Sequence, residues 1–191
     1  MVKMYGEKAI NEYLKELASN LPVPGGGSAA ALVGAAGVAC LAKVVNFTVG
    51  KEKYKSVEKE MANILKRLEV LKEDFIRLCS EDAIAYKRLS EAFKAQEKKE
   101  RTGAIQNALK EAAKVPLLVC RSAHEAIKFC PGIREKGNKN LVSDVDCATS
   151  MLKCAYESGR INVEVNLKSI KDKRWVEQTR KALETMEGGM R

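Results

Sequence analysis

The chain has 191 residues, 46% of them apolar, and a formal net charge of +9. That length suits one domain, residues 1–191, with a sizeable core, and the apolar content excludes general disorder. The charge admits nucleic acid, an anionic membrane or an anionic small molecule as partner. The densest basic cluster, Lys94 to Arg101, also holds two Glu and has few aromatics nearby, which reads as solvated surface and argues against a nucleic-acid platform.

In chain order, Met1–Glu7 leads into a charged amphipathic segment with no signal-peptide character, so the expected compartment is the cytoplasm. Ile10, Tyr13, Leu14 and Leu17 predict a first helix of about four turns. The segment Pro22-Val23-Pro24-Gly25-Gly26-Gly27-Ser28 is a bent, bare backbone, where absent side chains leave room for something to approach. Ser28 is the N-cap candidate of a second helix, predicted from Ser28 to about Val49. Ala30/Gly34 and Ala35/Ala39 place small residues four apart, so this helix should be central and closely packed. The uncharged run Leu17–Ala42 is long enough for a membrane span, but its prolines and its Ala/Gly content favour a buried helix of a soluble protein.

Val57, Met61, Leu68, Phe75, Leu78, Tyr86 and Phe93 lie on one continuous apolar stripe. A helix over Val57–Phe93 would be about 55 Å long, against roughly 40 Å for a compact globule of this size. Such a helix either breaks or protrudes under a second subunit, and a homodimer is favoured. A fourth helix is expected over Arg101–Cys130, kinked or split at Pro116. A loop over Pro131–Asn138 follows, then a capping box at Ser143 and Asp146 opening a helix to about Ser158. Ile161–Asn166 reads as briefly extended, and Asp172–Glu187 as a closing helix. The expected fold is all-α: a multi-helical up-and-down bundle with one long helix, assembled as a tight homodimer.

Asp82 lies on the stripe of the long helix, seven residues after Phe75. A carboxylate on a core-facing stripe must be paired, hydrogen-bonded or protonated. It is either half of an ion pair with Arg121 or Arg101, or a tuned general acid/base. In Gly137-Asn138-Lys139-Asn140-Leu141-Val142-Ser143-Asp144, capping accounts for Ser143 and less fully for Asn138, Asn140 and Asp144. Asn162 and Asn166 either cap turns or serve a heterocyclic ligand. His124, the only histidine, reads as structural. Six cysteines without a C-x-x-C pair suit a reducing compartment, and no metal site is expected. There is no P-loop and no dinucleotide fingerprint.

Taken together, several segments resemble the cyclodeaminase/cyclohydrolase family of tetrahydrofolate enzymes, which includes the C-terminal domain of formiminotransferase-cyclodeaminase. They are Pro22 to Ala31, Asn46-Phe47-Thr48-Val49-Gly50-Lys51-Glu52-Lys53-Tyr54, Asp82-Ala83-Ile84-Ala85-Tyr86, Val115-Pro116, Gly137 to Asp144, Asn162 to Leu167 and Lys171-Asp172. The resemblance implies an all-helical homodimer with no metal or redox cofactor, and no nucleic-acid or membrane partner. It also implies a groove lined by both subunits that takes a folate, whose polyglutamate tail the basic surface would attract. Asp82 would be catalytic. Pro24, Gly25, Gly26, Gly27 and Ser28 would form the pocket wall, and Asn138, Asn140, Ser143, Asp144 and Asn162 would grip the substrate. The implied reaction is cyclodeamination of 5-formiminotetrahydrofolate to 5,10-methenyltetrahydrofolate and ammonia. The alternative is cyclohydrolysis of the methenyl compound to 10-formyltetrahydrofolate, which suits a chain that must receive any formimino substrate by diffusion. A non-catalytic helical interaction module is the third reading. The chain departs from the family pattern at Ala92–Glu97, which lacks a proline, and at Phe129–Arg134.

Overall fold

The computed structural model describes residues 4–94 and 98–190. Residues 95–97, within the atypical Ala92–Glu97 segment, and the side chains of 98–101 in the basic cluster lie outside the described residues. Among the described residues there are seven α-helices and no strand: α1 (Ile10–Leu17), α2 (Gly26–Asn46), α3 (Glu58–Lys94), α4 (Lys98–Ile127), α5 (Cys130–Lys136), α6 (Val142–Leu167) and α7 (Lys173–Gly188).

Four helices form the body of the molecule, with α2 against α3 and α6, and α4 against the other sides of the same two. Neighbours run antiparallel. Gly27 stands against Asp82 and Gly34 against Phe75, so α2 numbers rise as α3 numbers fall. Lys43 meets Asp144 while Gly26 meets Asn162 across α2 and α6. Asn166 reaches Ala112 and Cys120 reaches the Tyr156 carbonyl across α6 and α4. This is the up-and-down bundle that the periodicity predicts. The chain before α2 straps across α3, where the Tyr5 N–H donates to Ser80 Oγ at 2.9 Å. Helix α5 closes one end against α6 and α2, and α7 lies on α4.

Helix α2 is long and apolar enough to cross a membrane. Here Ala31, Val38, Leu41, Val44 and Val45 are fully buried between its neighbours. Close approach is possible because its inner residues are small: a Cβ on Gly34 would fall 2.4 Å from Phe75 Cε1. The long helix does not break, and its 37 residues run unbroken as α3. Pro116 does not split α4 either. A proline lacks the N–H that would bond the carbonyl four residues back, and the freed Ala112 carbonyl receives a long 3.5 Å contact from Asn166 Nδ2.

Several local expectations are corrected. Helix α1 has eight residues, fewer than the predicted four turns, because Ala9 before it is extended and the Ser19 hydroxyl closes its end on Glu16 O. Helix α2 starts at Gly26 behind Gly25, so Ser28 is its third residue and not its N-cap. Pro131–Asn138 is mostly not a loop: Pro131 sits at the start of α5, where its missing N–H costs nothing, and Ile133 is buried. No capping box opens α6. Asn138 caps the 3-10 turn Lys139–Leu141 that leads into it, accepting from the Asn140 N–H at 3.0 Å, and Asp146 pairs with Arg134. Ile161–Asn166 is helical, inside α6, because burial of Val163 and Leu167 outweighs the strand preference of its β-branched residues.

The packing of α2 on α3 makes a paired prediction. Gly34→Ala should destabilise by about 1–3 kcal/mol through overpacking, whereas Gly103→Ala, which meets nothing within 4 Å, should gain up to about 1 kcal/mol of helix propensity. Urea unfolding of both variants checks the signs.

Candidate active site

Helix α2 opens behind half-exposed Gly25 with exposed Gly26 and buried Gly27, and it has no side-chain cap. Its leading N–H groups therefore lack partners within the helix. Helix α3 supplies one from outside: Asp82 Oδ2 accepts from the Ser28 N–H at 3.0 Å. The carboxylate lies flat on the turn, with Oδ1 only 2.2 Å from where a Cβ on Gly27 would be. Glycine at position 27 is what lets the carboxylate in.

Asp82 has no ion-pair partner among the described residues, and Arg121 lies elsewhere, in a groove of about 330 Å³ between α4 and α7 beside Trp175. Arg101, the other proposed partner, has a side chain outside the described residues. Burial raises the Asp82 pKa, and the Ser28 N–H bond lowers it less. A half-buried carboxyl whose pKa burial raises is a better proton acceptor than a free one, and can take up and return a proton in turn.

Asp82 opens onto a cavity of about 360 Å³, within the range of small-molecule sites. Pro22, Val23 and Gly25 to Gly27 line one side, Tyr86 and Leu89 of α3 and Ala112 of α4 another, and Asn162, Val165 and Asn166 of α6 the third. Among the described residues, Asp82 is the only charged one of this lining. The Asn162 Nδ2 donates to Ser158 O at 2.8 Å and the Asn166 Nδ2 to Asn162 O at 2.9 Å. With their amide hydrogens tied to the helix backbone, the two side chains have carbonyl oxygens left for a ligand.

The sequence-predicted residues thus divide. Gly25, Gly26, Gly27, Asp82 and Asn162 share the cavity; Pro24 is buried behind it and Ser28 binds Asp82 through its N–H. Asn138, Asn140, Ser143 and Asp144 lie at the other end of α2, about 30 Å away along a 21-residue helix. There the Asn138 N–H donates to Thr48 Oγ1 at 2.9 Å, its Nδ2 donates to Phe47 O at 3.1 Å, and Asp144 pairs with Lys43 at 3.0 Å. Sequence reasoning weighed Asn166 beside Asn162 without assigning it to the pocket and left out Tyr86; helical spacing points to both, each four residues past a nominated residue. Tyr13, whose hydroxyl donates to Ser28 Oγ at 3.1 Å, carried no local clue.

A model of the family described as formiminotransferase-cyclodeaminase matches residues 9–185. The chain belongs to this family. It is 37% identical to a methenyltetrahydrofolate cyclohydrolase of Methylorubrum extorquens, covering 95% of this chain and 89% of that one. It is 25% identical to the formimidoyltransferase-cyclodeaminase of Rattus norvegicus, of which it spans 34%. Among solved structures it is similar to a formiminotetrahydrofolate cyclodeaminase from Thermotoga maritima, with a TM-score of 0.91 and 33% identity over 96% of this chain and 90% of that one. The all-α bundle is therefore the fold of the formiminotransferase-cyclodeaminase family, and the chain is a folate one-carbon enzyme by kinship.

The raised pKa of Asp82 has a consequence for stability. A carboxyl whose folded pKa lies above its unfolded value costs stability as pH rises, because the folded state must then carry the charge in a desolvated place. Asp82→Asn should match the parent in acid, below the unfolded carboxyl pKa of about 3.9, and become the more stable of the two as pH rises to neutrality. Thermal melts of both proteins across that range test the sign.

Proposed function

We propose that this protein acts on the one-carbon unit carried between N5 and N10 of tetrahydrofolate, with Asp82 as its general acid/base. One observation carries the reading: among the described residues, a single desolvated carboxyl without a cationic partner faces an otherwise uncharged cavity. Its negative charge complements the cationic amidinium carbon of a 5,10-methenyl folate.

In the hydrolytic direction, Asp82 takes a proton from the water that adds to that carbon. The N5–carbon bond then breaks as N5 receives that proton from Asp82, the adduct's hydroxyl proton leaves to solvent as the C=O forms, and the carbon stays on N10 as a formyl group. In cyclodeamination, N10 adds to the formimino carbon and Asp82 takes its proton. The carbon–nitrogen bond to the amino group breaks, and the proton leaves with ammonia. The end-to-end likeness to the Methylorubrum cyclohydrolase puts hydrolysis first; the likeness to the Thermotoga cyclodeaminase sustains the second reading. The bare Gly25 to Gly27 backbone forms the wall against which the ligand lies, and the Asn162 and Asn166 carbonyl oxygens accept from its N–H groups.

General acid/base help of this kind is worth about 10²–10⁴-fold. Asp82→Asn should therefore lose about that factor in turnover while keeping the fold, read as absorbance of the methenyl chromophore with 5,10-methenyltetrahydrofolate and with 5-formiminotetrahydrofolate in turn. Full turnover in the variant would remove Asp82 from the chemistry, and no rate above buffer with either substrate in the parent would remove the enzyme reading.

We also propose a homodimer. Outward rows on α2 (Ala29, Val33, Ala36, Cys40) and on the adjacent α6 (Cys147, Met151, Cys154, Ile161, Val165) recur at helical contact spacing and are apolar although partly or fully exposed. A two-fold axis normal to these helices would lay the N-terminal end of α2 on the C-terminal end of its mate. Asn138, Asn140, Ser143 and Asp144 of each subunit would then approach the Asp82 cavity of the other. Ala36→Glu should split the assembly into monomers with loss of turnover, as measured by light scattering and the same absorbance assay.

A further inference from the structure

The chain that precedes the glycine turn is tied to the site by polar contacts that the reaction scheme does not use. Tyr13, on α1, is almost completely buried, and its hydroxyl donates to Ser28 Oγ, itself fully buried, at 3.1 Å. The same Ser28 gives its N–H to Asp82. Behind Tyr13 the Tyr5 ring packs edge-on at 5.6 Å between centroids and 84° between planes, and the Tyr5 N–H is fixed to Ser80 Oγ, two residues before Asp82 on α3. One strap thus holds the two elements that meet at the carboxylate.

We propose that Tyr13 is a positioning residue: through its hydroxyl bond to Ser28 it fixes the first turn of α2, and so the single N–H that holds the Asp82 carboxylate. This deepens the proposed role of Asp82 and rests on it for its catalytic consequence. Packing alone does not require the hydroxyl, since phenylalanine would fill the same space against Tyr5. A buried hydroxyl is kept where it has a partner, because an unpaired one is costly. Ser28 in turn has its oxygen occupied from the α1 side, which fixes its rotamer and the orientation of the turn it belongs to.

Among the described residues, Lys8 and Lys72 line the cavity beside Tyr13, paired with Glu16 and Glu69, and neither acts on the charge of Tyr13 or Asp82. The groups that act electrostatically on Tyr13 are Cys79, Asp82 and Tyr5, and burial raises the pKa of its phenol. Cys79 is held protonated, its pKa pushed up to about 12 by burial. Tyr86 reaches the cavity from α3; α4 contributes Ala112 and α6 contributes Asn162 and Asn166, none of them charged.

The test is Tyr13→Phe in the full chain, read by carboxyl ¹³C NMR titration of Asp82, whose resonance is identified by its absence in Asp82→Asn. The bond from the Ser28 N–H favours the charged form, so loosening it should move the Asp82 midpoint to higher pH. The limb of kcat that follows the carboxylate should move with it, KM should stay nearly constant, and kcat at pH 7 should fall by about 2- to 10-fold, the worth of one ordinary hydrogen bond. Ser28→Ala, a helix-compatible change that removes the same bond from the other side, should give the same displacement, and the double variant should add little to either single one. A lowered Tm with an unmoved Asp82 midpoint in both single variants would make Tyr13 structural only and overturn the proposal. The titration does not depend on turnover, so an active Asp82→Asn protein would refute the catalytic reading while the Asp82 midpoint still decides the role of Tyr13.

Discussion

The structure turns on the contact between the Asp82 carboxylate and the first turn of α2. Two requirements meet there. A helix that starts with glycines and no capping side chain needs acceptors for its leading N–H groups, and a carboxylate on a core-facing stripe needs donors. Each meets the other's need at 3.0 Å, and the fit closes only because position 27 has no Cβ. The contact is close and desolvated yet short of full neutralisation. A buried arginine in that place would have produced a quiet ion pair; a lone N–H leaves a carboxyl that still titrates, above its ordinary range.

The bundle around it explains why the cavity lies where it does. Four antiparallel helices in close contact leave little internal space, so a cavity is expected at an end, where helices start or splay. Glycines begin α2 there, and α4 passes with a proline that frees the Ala112 carbonyl toward α6. The Asn162 and Asn166 side chains return their amide hydrogens to α6 or to that carbonyl. The far end of α2 is different in kind: Thr48, Phe47 and Tyr54 are bound to Asn138 and Lys139 in a local knot of side chain to backbone bonds. Two well-built ends and an apolar outer face between them are the features the proposed homodimer would use.

Much of this was legible in the sequence, for identifiable reasons. Asp82 stood out because helical periodicity is a strong pattern in a 37-residue helix, and a single carboxylate on the apolar stripe breaks it. The glycine segment stood out because three bare residues before an Ala/Gly-rich helix have few other uses. What was misread were places where tertiary packing decides. Ile161–Asn166 alternates branched and polar side chains as a strand would, and only the burial of Val163 and Leu167 makes it helix. Pro131 looked like a loop and opens α5 instead. Tyr13 is invisible by any local rule, since its contact with Ser28 joins two helices through the bent segment between them.

The central claim is that the carboxyl of Asp82 is the group whose protonation sets the rate. The most direct measurement is the pH dependence of kcat/KM with 5,10-methenyltetrahydrofolate, set beside the Asp82 carboxyl titration in the same protein without substrate. The account predicts that the two midpoints coincide, above the ordinary carboxylate range, as burial of Asp82 requires. A rate limb that falls at a different pH from the Asp82 titration would contradict it.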